Sequence, residues 1–130
     1  MAEAQYLNPS EISDPGGRYT QMVRVGDVVY ISGQTAGDKD GNIVGKGDPL
    51  AQARQVFANL GAAIRSVGGK PSDIIKTTTY VLDRDYVAAV REARQEFFPQ
   101  NPPTSTMVVV SGLANPDFLL EIEGVAHLQS

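Results

Sequence analysis

The chain has 130 residues, a formal net charge of -4 and no cysteine. That length suits one domain, residues 1–130, with a real hydrophobic core, and the missing thiols exclude thiolate nucleophiles, thiolate metal sites and disulfide frameworks while fitting a reducing compartment. The acidic balance argues against broad, electrostatically driven nucleic-acid binding; with no secretory signal at the start and no apolar run near the ~20 residues a bilayer crossing needs, a cytoplasmic protein is expected.

Residues 1–17 are polar and broken by Pro9, Pro15, Gly16 and Gly17, and read as an extended arm or loop. Tyr19 to Val25, the pair Gly26-Asp27, and Val28 to Ser32 form a hairpin pattern with a glycine-led two-residue turn of the II′ kind. Gly33 to Gly47 holds five glycines and reads as a surface loop with a short strand near Asn42 to Val44; it lacks the Lys-Ser/Thr of a phosphate loop.

Asp48-Pro49 supplies an N-cap and a first-turn proline. Leu50, Ala53, Phe57, Leu60, Ile64 and Val67 then recur at spacings of three and four, one apolar stripe of a helix that Gly68-Gly69 and Pro71 end. Ile74 to Leu82 is rich in β-branched residues and predicts a strand. Asp83 or Asp85 caps a second helix that runs to Phe98 and stops at Pro99. Its apolar arc of Tyr86, Val87, Ala89, Val90, Ala93, Phe97 and Phe98 encloses Arg94 and has Arg91 at its rim. A cation in an apolar arc needs a partner, so Arg94 either covers the core with its stem and reaches solvent or a neighbouring subunit, or lines an anion-binding pocket.

Asn101 to Leu128 carries two more strand-like runs, Thr104 to Ser111 and Phe118 to Leu128, joined by a turn with Gly112, Asn115 and Pro116. In the second run the even positions are apolar or small, and Glu121, Glu123 and His127 occupy odd ones. Side chains alternate faces along a strand, so these three belong to the face turned away from the core.

The order β-β-α-β-α-β-β predicts an α+β domain with two helices on one face of a mixed sheet. Thr77, Thr79, Val81, Met107, Val109 and Val125 are expected on the other face. That face would be too apolar for solvent, so a symmetric oligomer is expected.

Taken together, RYTQMVRVGDVVYISGQ at 18–34, Thr79-Tyr80-Val81-Leu82, EFFP at 96–99, PPTST at 102–106 and LLEIEGVA at 119–126 resemble the RidA (YjgF) family of reactive-intermediate enamine/imine deaminases. The resemblance spans about Tyr19 to Ala126 with every element in family order. It implies a chorismate-mutase-like subunit, a homotrimer with a barrel-like core, and inter-subunit clefts for a small-molecule ligand. It also implies that Tyr19 closes one side of the cleft, that the backbone at Ser32-Gly33 meets the ligand, and that Glu121 positions the hydrolytic water.

One match is missing. Members that deaminate imino acids hold the substrate carboxylate with an arginine in a Pro-x-Arg-Ser/Thr context, a bidentate role few side chains imitate; here that stretch reads Pro102-Pro103-Thr104-Ser105. Arg91 stands where many members carry asparagine, and Arg94 at a nearby aromatic position. Two expectations compete: Arg91 or Arg94 replaces the lost charge, or the cleft holds an uncharged ligand with Thr104 and Ser105 offering hydroxyls.

The function expected is hydrolysis of a non-standard enamine or imine, which asks for an oriented water, polarisation of the C=N bond and proximity. The alternative is a non-catalytic trimeric binder of a small metabolite or another protein. The endoribonuclease activity attributed to some relatives fits poorly with the acidic balance. Glu123 reads as a strand-edge charge and His127 as a surface histidine. Ser32 lacks a nucleophile-elbow context, and no His, Asp or Glu group has metal-ligand spacing, so no metal or other cofactor is expected.

Overall fold

The computed structural model describes residues 2–129. The hairpin forms as its turn chemistry requires: β2 (Met22–Val25) and β3 (Val28–Gln34) pair antiparallel with Val25 opposite Val28, and Gly26 takes φ 59°. That positive φ is open to glycine without steric cost. Within the N-terminal arm, Gln5–Leu7 forms β1, which pairs antiparallel with β2. The glycine-rich loop after β3 contributes only an isolated bridge between Gly37 and Ile43.

Helix α1 (Pro49–Ser66) starts where Asp48 accepts a hydrogen bond from the Ala51 amide at 3.1 Å. Its stripe is core: Ala53, Phe57, Leu60 and Ile64 are buried, while Leu50 and Val67 pack at the margin. Strand β4 (Ile74–Val81) leads through a short 3-10 turn, Arg84–Tyr86, into α2 (Val87–Phe97). Asp83 caps that turn, its side chain accepting from the Asp85 amide. Phe57, Phe97 and Phe98 lock the two helices together with ring centroids 4.8–5.9 Å apart, within the favoured range for aromatic pairs.

Strands β5 (Thr104–Val109) and β6 (Leu120–His127) complete a six-stranded sheet ordered β1-β2-β3-β6-β4-β5. Only the β4–β5 pair is parallel, so the sheet is mixed, as expected of the α+β arrangement. Along β6, Leu120, Ile122, Gly124 and Ala126 are buried while Glu121, Glu123, Val125 and His127 are less so. The alternation read from the sequence holds there.

It fails on β4. Thr77, Thr79 and Val81 are buried with the core, at 1%, 1% and 0% exposure, instead of facing away from the helices. An alternation running unbroken from buried Ile74 would send the odd residues outward. A register shift between Ile74 and Lys76 opposite β6 inserts one residue and reverses the parity. Parallel pairing carries the reversal to β5, where Met107 lies beside Thr79 and Val109 beside Val81. Of the six residues expected on the uncovered face, Val125 alone is there, opposite Tyr30. That face instead presents Tyr30, Lys76, Thr78, Tyr80, Val108 and Glu123, a mixed surface in which Tyr30 and Val108 are 54% and 41% exposed.

Candidate functional site

The site begins with an irregularity in the sheet. Between Ile31 and Gln34 strand β3 carries one more residue than β6 spans opposite it, so Ser32 and Gly33 bulge from the ladder. The freed backbone is satisfied locally. The Ser32 amide donates to the Gln21 carbonyl at 2.8 Å, and the Ser32 hydroxyl donates to the Thr20 carbonyl at 2.6 Å. A Cβ at Gly33 would overlap the Glu121 carboxylate, so a larger residue there would displace that side chain. The Glu121 side chain lies directly over the Gly33 backbone.

Two sets of buried amides hold this place from behind. Gln34 Nε2 donates to Gln21 Oε1 at 2.8 Å and to the Ser32 carbonyl at 3.1 Å; Gln21 Nε2 donates to the Ser13 carbonyl at 2.8 Å. This chain ties the N-terminal arm to the bulge. On the opposite wall Gln52, fully buried in α1, donates to the Gly45 and Asp117 carbonyls at 3.2 and 3.0 Å, and its Oε1 accepts from the Leu119 amide at 2.9 Å. That fixes the loop leading into β6. Buried amides satisfied on every side specify one arrangement.

Between these walls opens a cleft of about 560 Å³ lined by Arg18, Tyr19, Ser32, Gly33, Thr35, Ala114, Phe118 and Glu121. Four residues singled out in the sequence therefore meet: Tyr19, Ser32, Gly33 and Glu121. Glu121 is half-buried, and its carboxyl is raised above the ordinary glutamate value by burial and, second, by the nearby charge of Glu123. Glu123 is itself engaged, accepting the Tyr80 hydroxyl at 2.6 Å. That bond and the adjacent charge raise the tyrosine above its usual value.

The remaining candidates lie elsewhere in the chain. Arg91 and Arg94 line a second cavity of about 390 Å³ with Gln95, Phe98, Pro99 and Pro102. Arg94 Nη1 donates to the Ser105 hydroxyl at 3.0 Å, and the Thr104 hydroxyl donates to the Ile75 carbonyl at 3.2 Å. On the sheet, Glu121 sits beside Tyr80, while Thr104 sits beside Lys76 and two strands from β6. Four residues of strand and two interstrand steps put roughly 16 Å between them. His127 is exposed at the far end of β6, opposite Val28.

Arg18, Thr35, Ala114 and Phe118 line the cleft with no motif in the sequence to mark them. Arg18 adjoins Tyr19 in sequence; Ala114 and Phe118 come from a loop that Gln52 helps hold at the site. The three buried glutamines left a weaker trace, as polar residues inside apolar elements.

A family model described as Endoribonuclease L-PSP matches residues 10–128. A RutC family protein of Pyrococcus horikoshii is 39% identical over 114 residues, covering 87% of this chain and 89% of the relative. Among solved structures, RidA from an Antarctic Psychrobacter superposes with a TM-score of 0.88 at 29% identity, covering 95% of this chain and 99% of that one. A conserved Rid family protein of unknown function from Yersinia pestis superposes with a TM-score of 0.91 at 26% identity, covering 97% and 100%.

Proposed function

The chain belongs to the Endoribonuclease L-PSP family, which includes the RidA (YjgF) proteins, and from that premise we propose that it hydrolyses a small enamine or imine at the cleft around Glu121. The observation that carries this reading is a half-buried carboxyl of raised pKa, opposed to Gly33 and facing an open cleft with Tyr19 and Ser32. A carboxyl poised above its ordinary value exchanges protons more readily near neutrality.

In this reading an enamine first tautomerises to its imine, one proton leaving nitrogen as another is added at carbon. Glu121 then accepts a proton from water as the oxygen bonds to the C=N carbon. The proton passes to nitrogen to give a carbinolamine; its hydroxyl proton then moves to nitrogen as the C–N bond breaks, and ammonia leaves with a carbonyl product. Tyr19 and the Ser32-Gly33 backbone hold the substrate against the carboxyl. Imines hydrolyse readily, so orientation and proximity supply most of what is needed.

The same proposal places three copies around their uncovered sheet faces, where Tyr30, Val108 and Val125 would be buried. The β5 edge of one copy, with Thr104, Ser105, Arg91 and Arg94, would then border the cleft of the next. Native mass spectrometry should give three times the 13.9 kDa chain mass; a monomer at micromolar concentration would contradict this part.

A second reading, a non-catalytic binder, is favoured by Thr104. Its hydroxyl bonds to the Ile75 carbonyl, and no arginine stands where the resemblance calls for one. RNA cleavage remains disfavoured by the net charge of -4. The deciding experiment measures ammonia release from imines generated in place by an amine or amino-acid oxidase. Faster release with the wild-type protein than without it, lost in Glu121→Ala, supports hydrolysis. No acceleration across several imines leaves the binder.

A further inference from the structure

The cleft carboxyl has a neighbour that the reaction as written does not use. Glu123 follows Glu121 by two positions on β6 and shares its face, which puts their Cα atoms about 7 Å apart. On β4, Tyr80 stands directly opposite Glu121, and Thr78 opposite Glu123. The Tyr80 hydroxyl nevertheless donates diagonally, to Glu123 at 2.6 Å. That length belongs to a charge-assisted bond, and an aromatic side chain has the reach for the diagonal.

This choice of partner leaves Glu121 bare. Among the described residues its carboxyl accepts no hydrogen bond and has no cation at ion-pair distance. Its floor is the Gly33 backbone. A donor on a carboxylate favours the ionised form, whereas a fixed negative charge nearby favours the protonated one. Tyr80 therefore acts on Glu121 in two ways at once, by giving its hydrogen bond elsewhere and by pinning the Glu123 charge where it does so.

The electrostatics agree with the geometry. Burial raises Glu121 first and the Glu123 charge second; Tyr80 is raised chiefly by its bond to Glu123 and in smaller part by the charge of Glu121. The three groups form one cluster. Other titratable groups near it are Lys76 on β4, His127 on β6 and Tyr30 on β3, which share the sheet face, and Arg18 and Tyr19, which line the cleft from the arm. None of these five makes an ion pair or hydrogen bond with either carboxyl.

We propose that Tyr80 and Glu123 are positioning residues of the hydrolysis that act through Glu121: the phenol binds Glu123 and withholds its hydrogen bond from Glu121, so that the carboxylate over the Gly33 backbone stays free to take a proton from water. Neither residue lines the cleft. This inference rests on Glu121 being the proton acceptor of the proposed reaction, and it is read on the Glu121 carboxyl itself, with or without turnover.

The test follows the Glu121 carboxyl of the full chain through a pH titration by NMR of carbon-labelled glutamate side chains, its signal identified by its loss in Glu121→Gln. Glu123→Gln removes the charge and keeps an acceptor for the phenol, and should lower the Glu121 midpoint by about half a pH unit. Glu123→Ala also removes the acceptor and turns the phenol toward Glu121, and the fall should reach about one pH unit. Adding Tyr80→Phe to Glu123→Ala should bring back about half of that fall, a recovery that lost packing would not produce. With an imine that is turned over, the acid limb of the kcat/KM profile should move with the midpoint. Circular dichroism guards against loss of fold, and Glu123→Gln, the gentlest change, decides the case if Glu123→Ala does not fold. The inference is overturned if the midpoint stays in place or rises in either Glu123 variant, or if the double variant falls as far as Glu123→Ala alone. Midpoints that move as expected while no imine is hydrolysed support the control of Glu121 by Tyr80 and Glu123 and remove only the hydrolase reading. Ammonia release that is lost in Glu121→Ala, with midpoints unmoved in the Glu123 variants, keeps hydrolysis and removes this inference.

Discussion

At the cleft between β3 and β6 the backbone that carries the lining residues is held from behind by buried glutamine amides, whereas at the cavity beside α2 the arginines project from one helix face. Gln21, Gln34 and Gln52 are 1%, 4% and 0% exposed and bind backbone from four different segments. Arg94 is held by one exposed hydroxyl, that of Ser105. Both places contain charge, but only the first has a backbone scaffold braced by buried amides around it. Chemistry needs that kind of convergence, since misplacement of about 1 Å can cost on the order of a hundredfold in rate.

Glu121→Ala tests this contrast most severely. On an imine that the wild type hydrolyses, it should lower kcat/KM by about a hundredfold or more. A loss below about threefold would remove Glu121 from any role as general base. Gly33→Ala comes next: the added Cβ displaces the Glu121 carboxylate, and turnover should fall on the order of tenfold or more with the fold retained. Unchanged turnover would show that the carboxyl need not lie over Gly33.

Gln52→Leu probes the scaffold itself. It leaves the Leu119 amide and the Gly45 and Asp117 carbonyls without their partner, a cost of about 2–4 kcal/mol in urea denaturation. The corresponding change in the other region, Ser105→Ala, should stay within about 0.5 kcal/mol because the bond is exposed. A larger effect would mean that the α2 cavity is covered in the assembled protein, and would weaken the contrast.

The smallest effect expected at the cleft concerns pH. The folded protein holds the Glu121 proton more tightly than the unfolded chain does, chiefly through burial. In the window between the ordinary value of 4.5 and the raised folded value the native state therefore binds more protons, and its stability falls as pH rises. Below that window the two forms are equally protonated; above it the penalty is full and constant. Glu121→Gln should abolish this slope and be the more stable protein at neutral pH, a trade of function for stability. Denaturation midpoints across pH 4–8 check it, and a wild type that gains stability through the window from this group would refute the assignment.

Much of the fold was legible in the sequence. The α1 stripe, the Gly26 turn and the alternation along β6 each follow a local period, and the core obeys them. The parity of β4 was not legible, because the inserted residue between Ile74 and Lys76 is defined by the register against β6 and not by any residue type. The same holds for the site. Glu121, Tyr19, Ser32 and Gly33 were picked out by motif, but Arg18 was hidden as one charge in a polar arm, and Phe118 as one apolar residue at a strand start.

By itself the sequence determined the helices, the strand alternation and the residue types able to act, because 3.6- and 2-residue periods and turn preferences are properties of a short stretch of chain. Only the tertiary structure decided which charges share a cleft. That depended on a β3 bulge, on a glycine leaving room for a carboxylate, and on glutamines bridging segments up to 67 positions apart. Convergence of that kind is a property of packing, and no local pattern records it.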